Sequence, residues 1–191
     1  MNNKTRTLLH LNLISGIGPA TIERLVQFIV NSNLNNLEFI YNLDLKELVR
    51  VSKLPEAICQ KIVSGLKDLN ILEQEIKLLE KHKIDIITLY DDNYPVLLKN
   101  TYLPPVILYV KGANLEVESQ NIAFVGSRKA NNYGCKIVNL LVPELVANNL
   151  TIVSGGALGI DAMSHQAAIN AGGKTVAVIG SGLLKPYPSA H

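Results

Sequence analysis

Over the first 82 residues apolar side chains return every three or four positions, the period of a helix with one buried face. Ile22, Leu25, Val26 and Ile29 form one such set, and Leu69, Leu72, Ile76 and Leu79 another. Two stretches in this region, ISGIGPATIERL (14–25) and VSKLPEAICQKI (51–62), align at an offset of 37 residues. Each runs apolar, Ser, any residue, apolar, then a helix, which predicts a duplicated helix-hairpin-helix. From 84 onward the pattern becomes short apolar runs bounded by turn residues. IDIITL (84–89), ILYV (107–110), IAFV (122–125), TIVS (151–154) and TVAVI (175–179) are expected as strands. The last three do not alternate polar with apolar, which predicts buried parallel strands. Helix-length stretches at 133–149 and 160–171 separate them, the second closed by Gly172 and Gly173. Pro143 falls inside the first and is expected to kink or split it. The chain therefore reads as a helical domain over 1–82 and an α/β domain over 83–191, with strand, helix, strand, helix, strand building a doubly wound parallel sheet.

The three parallel strands run into turns rich in small residues. These are Gly126, Ser127 and Arg128, then Ser154, Gly155, Gly156, Ala157, Leu158 and Gly159, then Gly180, Ser181 and Gly182. In a parallel sheet all three turns share the carboxyl edge, where ligands bind. Glycine removes side chains where a backbone approaches closely, and a guanidinium beside it suits an anion. Ser154, Gly156 and Gly159 have the spacing of a dinucleotide fingerprint, with serine in the first place. That fingerprint needs an acidic residue about 20 positions on for the ribose. No Asp or Glu follows Asp161; Lys174 and Lys185 follow instead. The rim suits phosphate and offers nothing to a nicotinamide ribose.

Charge sharpens this picture. The net charge of +2 conceals 13 Lys+Arg against 14 Asp+Glu in residues 1–120, and 5 against 2 in residues 121–191. In the helical region Gly16 and Gly18 would free backbone N–H groups for a phosphate, whereas Lys53 and Pro55 replace both glycines in the second copy. A plain helix-packing turn explains the same residues, and the local acidity favours it. Length and a 48% hydrophobic content describe an ordinary globular chain. Cys59 and Cys135 form no CxxC pair, so neither a zinc knuckle nor a disulfide scaffold is expected, and a reducing cytosol is. His10 and Asn12 interrupt the N-terminal apolar stretch, which makes a poor signal peptide, and no membrane span is evident.

Catalytic patterns are thin. Asp161 and His165 lie four apart and could seed a metal site, but no third ligand follows; an acid near the helix start and a packed histidine explain them. Ser127, Ser154 and Ser181 are nucleophile candidates by position alone, and none stands in GxSxG. Tyr187 either stacks on a base or plugs the end of the sheet.

The segments DDNYPVLLKN, PPVILYVKG, IAFVGSRKANNYG, IVSGGALGIDAMSHQAAINAGGKTVAVIGSG and YPSAH, in that order, resemble the DNA-processing protein DprA (Smf) family over about residues 90–191. The helical region fits that family's small SAM-like domain more loosely. The resemblance implies a cytoplasmic bacterial protein that binds single-stranded DNA on an extended Rossmann fold and loads RecA during transformation. It further implies homodimers and no known catalytic activity; no cofactor and no metal are expected. Carried onto this chain, it makes Arg128 the chief phosphate contact. Gly126, Ser127, Ser154, Gly155, Gly156, Gly180, Ser181 and Gly182 then shape the pocket, with Lys174 within reach. The family continues beyond the YPxxH segment, so the expected sheet is an incomplete doubly wound one, with an unpaired edge and ill-defined oligomers. The residues alone leave two rivals, a nucleotide- or phosphoribose-processing enzyme and a non-functional remnant of a split gene.

Overall fold

A computed structural model describes residues 1–31, 36–113 and 120–187 of the chain. Two compact units divide it, Met1–Val117 and Glu118–His191. Residues 188–191, the end of the YPSAH segment, lie outside the described residues.

The first unit opens with helices α1 (Asn3–Leu13) and α2 (Pro19–Asn31). Asn2 caps α1 by accepting the Thr5 N–H at 2.8 Å, and Pro19 occupies the first turn of α2, where a missing N–H costs nothing. A 3-10 turn (Leu37–Asn42) leads to α3 (Leu45–Ser52), α4 (Glu56–Gly65) and α5 (Leu69–His82). A reciprocal capping box starts α3: Glu47 N–H donates to Asp44, and Asp44 N–H donates to Glu47.

The two hairpins predicted at an offset of 37 are both present. Gly16 ends the first at φ +82° and Lys53, its counterpart, ends the second at φ +52°. Ile17 and Leu54, Ile22 and Cys59, and Leu25 and Ile62 occupy equivalent buried places in one shared core. Arg24 of α2 ties the copies together: its guanidinium donates to the carbonyls of Ser52 and Lys53, both at 3.1 Å, at the end of α3.

Strands β1 (Asp85–Thr88) and β2 (Ile107–Val110) pair antiparallel, from Asp85 opposite Val110 to Thr88 opposite Ile107, with the short α6 (Val96–Lys99) between them. Val106 and Ile107 belong to the same apolar cluster as the helices. This hairpin therefore packs with the helical unit, and the expected 82/83 boundary lies inside a compact body.

The second unit holds β3 (Asn121–Ala123), α7 (Asn132–Ala147), β4 (Thr151–Ser154), α8 (Ile160–Asn170) and β5 (Thr175–Ala177). Its sheet is parallel, in the order β3-β4-β5. Val138 and Val142 of α7 and Ala167 and Ala168 of α8 share one core with Ile152, Ile122 and Phe124, so both helices cover the same face. Burial follows from that. The central β4 is largely buried, whereas Ala123, Val125, Ala177 and Val178 are exposed. The expectation of three buried strands thus holds for β4 and fails for β3 and β5, because among the described residues only one face carries helices.

Helix α7 runs through Pro143 without the split that was one of the two expected outcomes. The proline removes one helical hydrogen bond. Val138 and Val142 before the proline are buried, and Leu145 and Val146 after it pack against the same cluster, so the helix is anchored on both sides.

Candidate nucleic-acid interface

The three turns meet at the carboxyl edge of the second unit's sheet. The first, Gly126 to Arg128, is pressed against the start of α8. Ile160 N–H donates to the Ser127 carbonyl at 3.2 Å. A methyl group on Gly126 would stand 2.6 Å from the Ile160 side chain, and one on Gly159 2.6 Å from the Arg128 carbonyl. Gly159 also adopts φ +82°, so glycine is required there for space and for conformation. Ser127 closes a small local turn, its hydroxyl donating to the Lys129 carbonyl and accepting the Lys129 N–H, both at 3.1 Å.

The second turn is set by Ser154 and Asp161. Ser154 is buried and its hydroxyl donates to the Phe124 carbonyl at 2.6 Å, which binds β4 to the end of β3. Asp161, in the first turn of α8, accepts the Ala157 N–H at 3.3 Å through Oδ2. Gly156 takes φ +72° and faces Ile179 of the third turn. Val178 N–H donates to the Ser154 carbonyl at 2.8 Å, so the second and third turns are joined through backbone. Beyond Gly180 the chain folds back, and Tyr187 N–H donates to the Ser181 hydroxyl at 3.2 Å.

Between these turns lies a cavity of about 280 Å³. Its walls are Arg128 from the first turn, Gly155, Ala157 and Leu158 from the second, and Ile179, Gly180 and Ser181 from the third, with Tyr187 at the side. Among these described residues Arg128 is the one charged side chain. A guanidinium fork and glycine backbone facing a small open space suit an oxyanion.

The candidates named from sequence separate into groups. Arg128, Gly155, Gly180 and Ser181 come together on the wall. Gly126, Ser127, Ser154 and Gly156 stand behind it and set the shape of the turns; Gly182 lies just past it, its carbonyl accepting the Lys185 N–H at 2.9 Å. Lys174 is placed elsewhere. It precedes β5 and its carbonyl accepts the Ile152 N–H, at the amino edge of the sheet, a strand's length from the turns. The reading that put it within reach followed charge along the sequence and overlooked that a strand carries its two ends to opposite edges.

Ala157, Leu158 and Ile179 were missed because their side chains announce no chemistry. Asp161 was read as favouring its own helix, whereas its hydrogen bond reaches back to the loop. His165 takes a structural role: Thr175 donates its hydroxyl to the Ile152 carbonyl at 2.8 Å and so receives the His165 Nδ1–H at 2.6 Å. Among the described residues no group of three or more His, Cys, Asp or Glu is placed to hold a metal. Nor is any of their helices long and apolar enough to cross a membrane.

A parallel α/β sheet with glycine turns around one arginine belongs to the Rossmann-like class. Comparison with known proteins narrows the class. Residues 85–191 match the model of the family described as DNA recombination-mediator protein A, and the chain belongs to that family. The match begins at β1, so it spans the end of the first unit and all of the second. The DNA processing protein DprA of Streptococcus pneumoniae is 44% identical over 113 residues, covering 59% of this chain and 39% of that protein. Protein Smf of Synechocystis is 30% identical over 194 residues, covering 98% of this chain and 46% of that one. The X-ray structure of the pneumococcal protein superposes with a TM-score of 0.79 at 31% identity, over 100% of this chain and 62% of that chain. The chain thus spans less than half the length of these two curated relatives.

Proposed function

We propose that this protein binds single-stranded DNA at the carboxyl edge of its parallel sheet and acts as a recombination mediator. The observation that carries the reading is the convergence of three glycine turns on one cavity whose charged lining is Arg128. Arg128 would take a DNA phosphate, with the surrounding backbone close enough to donate as well. Tyr187, 72% exposed beside the cavity, offers a ring on which a base stacks. Contacts of this kind read the backbone and the π-face of any base, so sequence preference is weak.

Membership of the family extends the reading to a RecA-type recombinase as protein partner, to pairing of two copies, and to work in the cytoplasm. It also favours binding over catalysis, since the turns present no nucleophile with a base beside it. Fluorescence anisotropy with a labelled oligothymidylate tests the site. Binding should weaken steeply with salt, and Arg128→Ala should weaken binding to all sequences alike, with a salt slope shallower by about one. Unchanged affinity in Arg128→Ala would remove that residue from the site.

A further inference from the structure

Resting on that reading, we infer that Asp161 is the positioning residue of the DNA pocket: its carboxylate sets the Ser154–Gly159 loop in the shape that receives the strand. Asp161 is 96% buried, with 4% of its surface exposed. A negative charge kept in the fold beside an arginine pocket works against an incoming phosphate. Its place is explained by what it holds. Oδ2 accepts the Ala157 N–H at 3.3 Å, and a methyl group on Gly155 would stand 2.9 Å from the same oxygen. Gly155 and Ala157 both form the cavity wall. The carboxylate therefore holds one wall residue, Ala157, by a hydrogen bond and leaves no room for a side chain on a second, Gly155, without itself lining the cavity.

The second oxygen makes the case specific. Among the described residues Asp161 Oδ1 is buried without a hydrogen-bond partner. A buried acceptor left open is costly and uncommon in a part of a fold that serves packing alone. The Ser154–Gly159 loop in front of it already gives the other oxygen one N–H, from Ala157. Occupation of the cavity that draws this loop inward lets Oδ1 accept a second loop N–H, so that the bound arrangement is the better satisfied one. Asp161 thus acts through the loop, in contrast to Arg128, which meets the ligand directly.

The test compares the full chain with its Asp161→Asn variant by oligothymidylate anisotropy, well below the melting transition of both. Asparagine keeps the size but exchanges one acceptor oxygen for a donor. Losing one charge-assisted hydrogen bond should weaken binding about tenfold. The salt slope should stay at the wild-type value, because every cation that meets a phosphate is retained. A purely structural role would lower the melting temperature and leave the affinity of the folded protein alone. Wild-type affinity in the folded variant overturns the inference, as does a slope shallower by one, which would mean that Arg128 had been displaced instead. If Asp161→Asn does not fold, Gly155→Ala probes the same contact from the other side, and undiminished affinity there also overturns it. If the wild-type protein itself binds no oligonucleotide, the functional reading fails separately. Hydrogen exchange at the Ala157 amide then decides on Asp161 alone: faster exchange in Asp161→Asn supports its hold on the loop, and equal exchange refutes it.

Discussion

His10 sits in α1 with none of its surface exposed, its Nδ1 2.9 Å from the Tyr41 hydroxyl and its Nε2 3.2 Å from the Asp68 carbonyl. A carbonyl only accepts, so Nε2 carries the proton and Nδ1 accepts from Tyr41: the neutral ring is satisfied on both sides. Burial pushes the imidazole below its ordinary 6.5, and the Asp68 carbonyl offsets part of that shift; nearby Arg6 adds to it, and the Asp68 carboxylate opposes it. A lowered folded value means the unfolded chain takes up a proton first as pH falls. Stability of the helical unit should therefore be full above about 6.5 and decline as pH drops from there toward the folded value. Urea midpoints measured across this range should show the decline in the wild type and a flatter profile in His10→Gln; equal slopes would assign the acid sensitivity to another group. Residues of this kind also show what sequence discloses about a site. Arg128 was legible as a wall residue because a turn that follows a parallel strand falls at the carboxyl edge of the sheet. The contact of Asp161 with its loop was not legible, because an acid at a helix start looks the same whether it serves the helix or the loop before it.

Among the elements, the duplicated hairpin was legible as a repeat, since its apolar positions recur at a fixed offset, and three pairs of them, Ile17/Leu54, Ile22/Cys59 and Leu25/Ile62, are buried. The left-handed turn of the second copy was not legible, because lysine carries no signal for positive φ. Lys53 holds φ +52° where its counterpart Gly16 holds +82°. A side chain in that region costs roughly 1 kcal/mol, partly offset by the greater freedom of an unfolded glycine. Lys53→Gly should thus stabilise the helical unit by about 0.5 kcal/mol, since the Lys53 carbonyl that accepts from Arg24 is retained. Thermal melting would check this, and a lowered midpoint would show that the lysine side chain makes a contribution of its own. Pro143 was expected to kink or split its helix; the split does not occur, and the packing of Val138 and Val142 before it and of Leu145 and Val146 after it accounts for that.

At the scale of the whole chain, periodicity separated helices from strands correctly but did not say which core a strand would join. Strands β1 and β2 follow the helical region in sequence and share its core through Val106 and Ile107. The nucleotide alternative is also tested at this scale, since a ligand that binds only the folded state stabilises it. NAD, NADP and ATP at about millimolar concentration should leave the melting temperature unchanged, whereas an oligothymidylate at 100 times its dissociation constant adds about 2.7 kcal/mol. A clear upward shift with any of the three nucleotides would return the pocket to nucleotide chemistry. The order β3-β4-β5 has a further consequence, for how the second unit assembles. Sheet order follows chain order, so each parallel pairing closes across a single intervening helix and the entropy lost in closing the loop stays small. As the chain leaves the ribosome, β4 and then β5 each meet a partner already made, and the three glycine turns come together last, once β5 has joined.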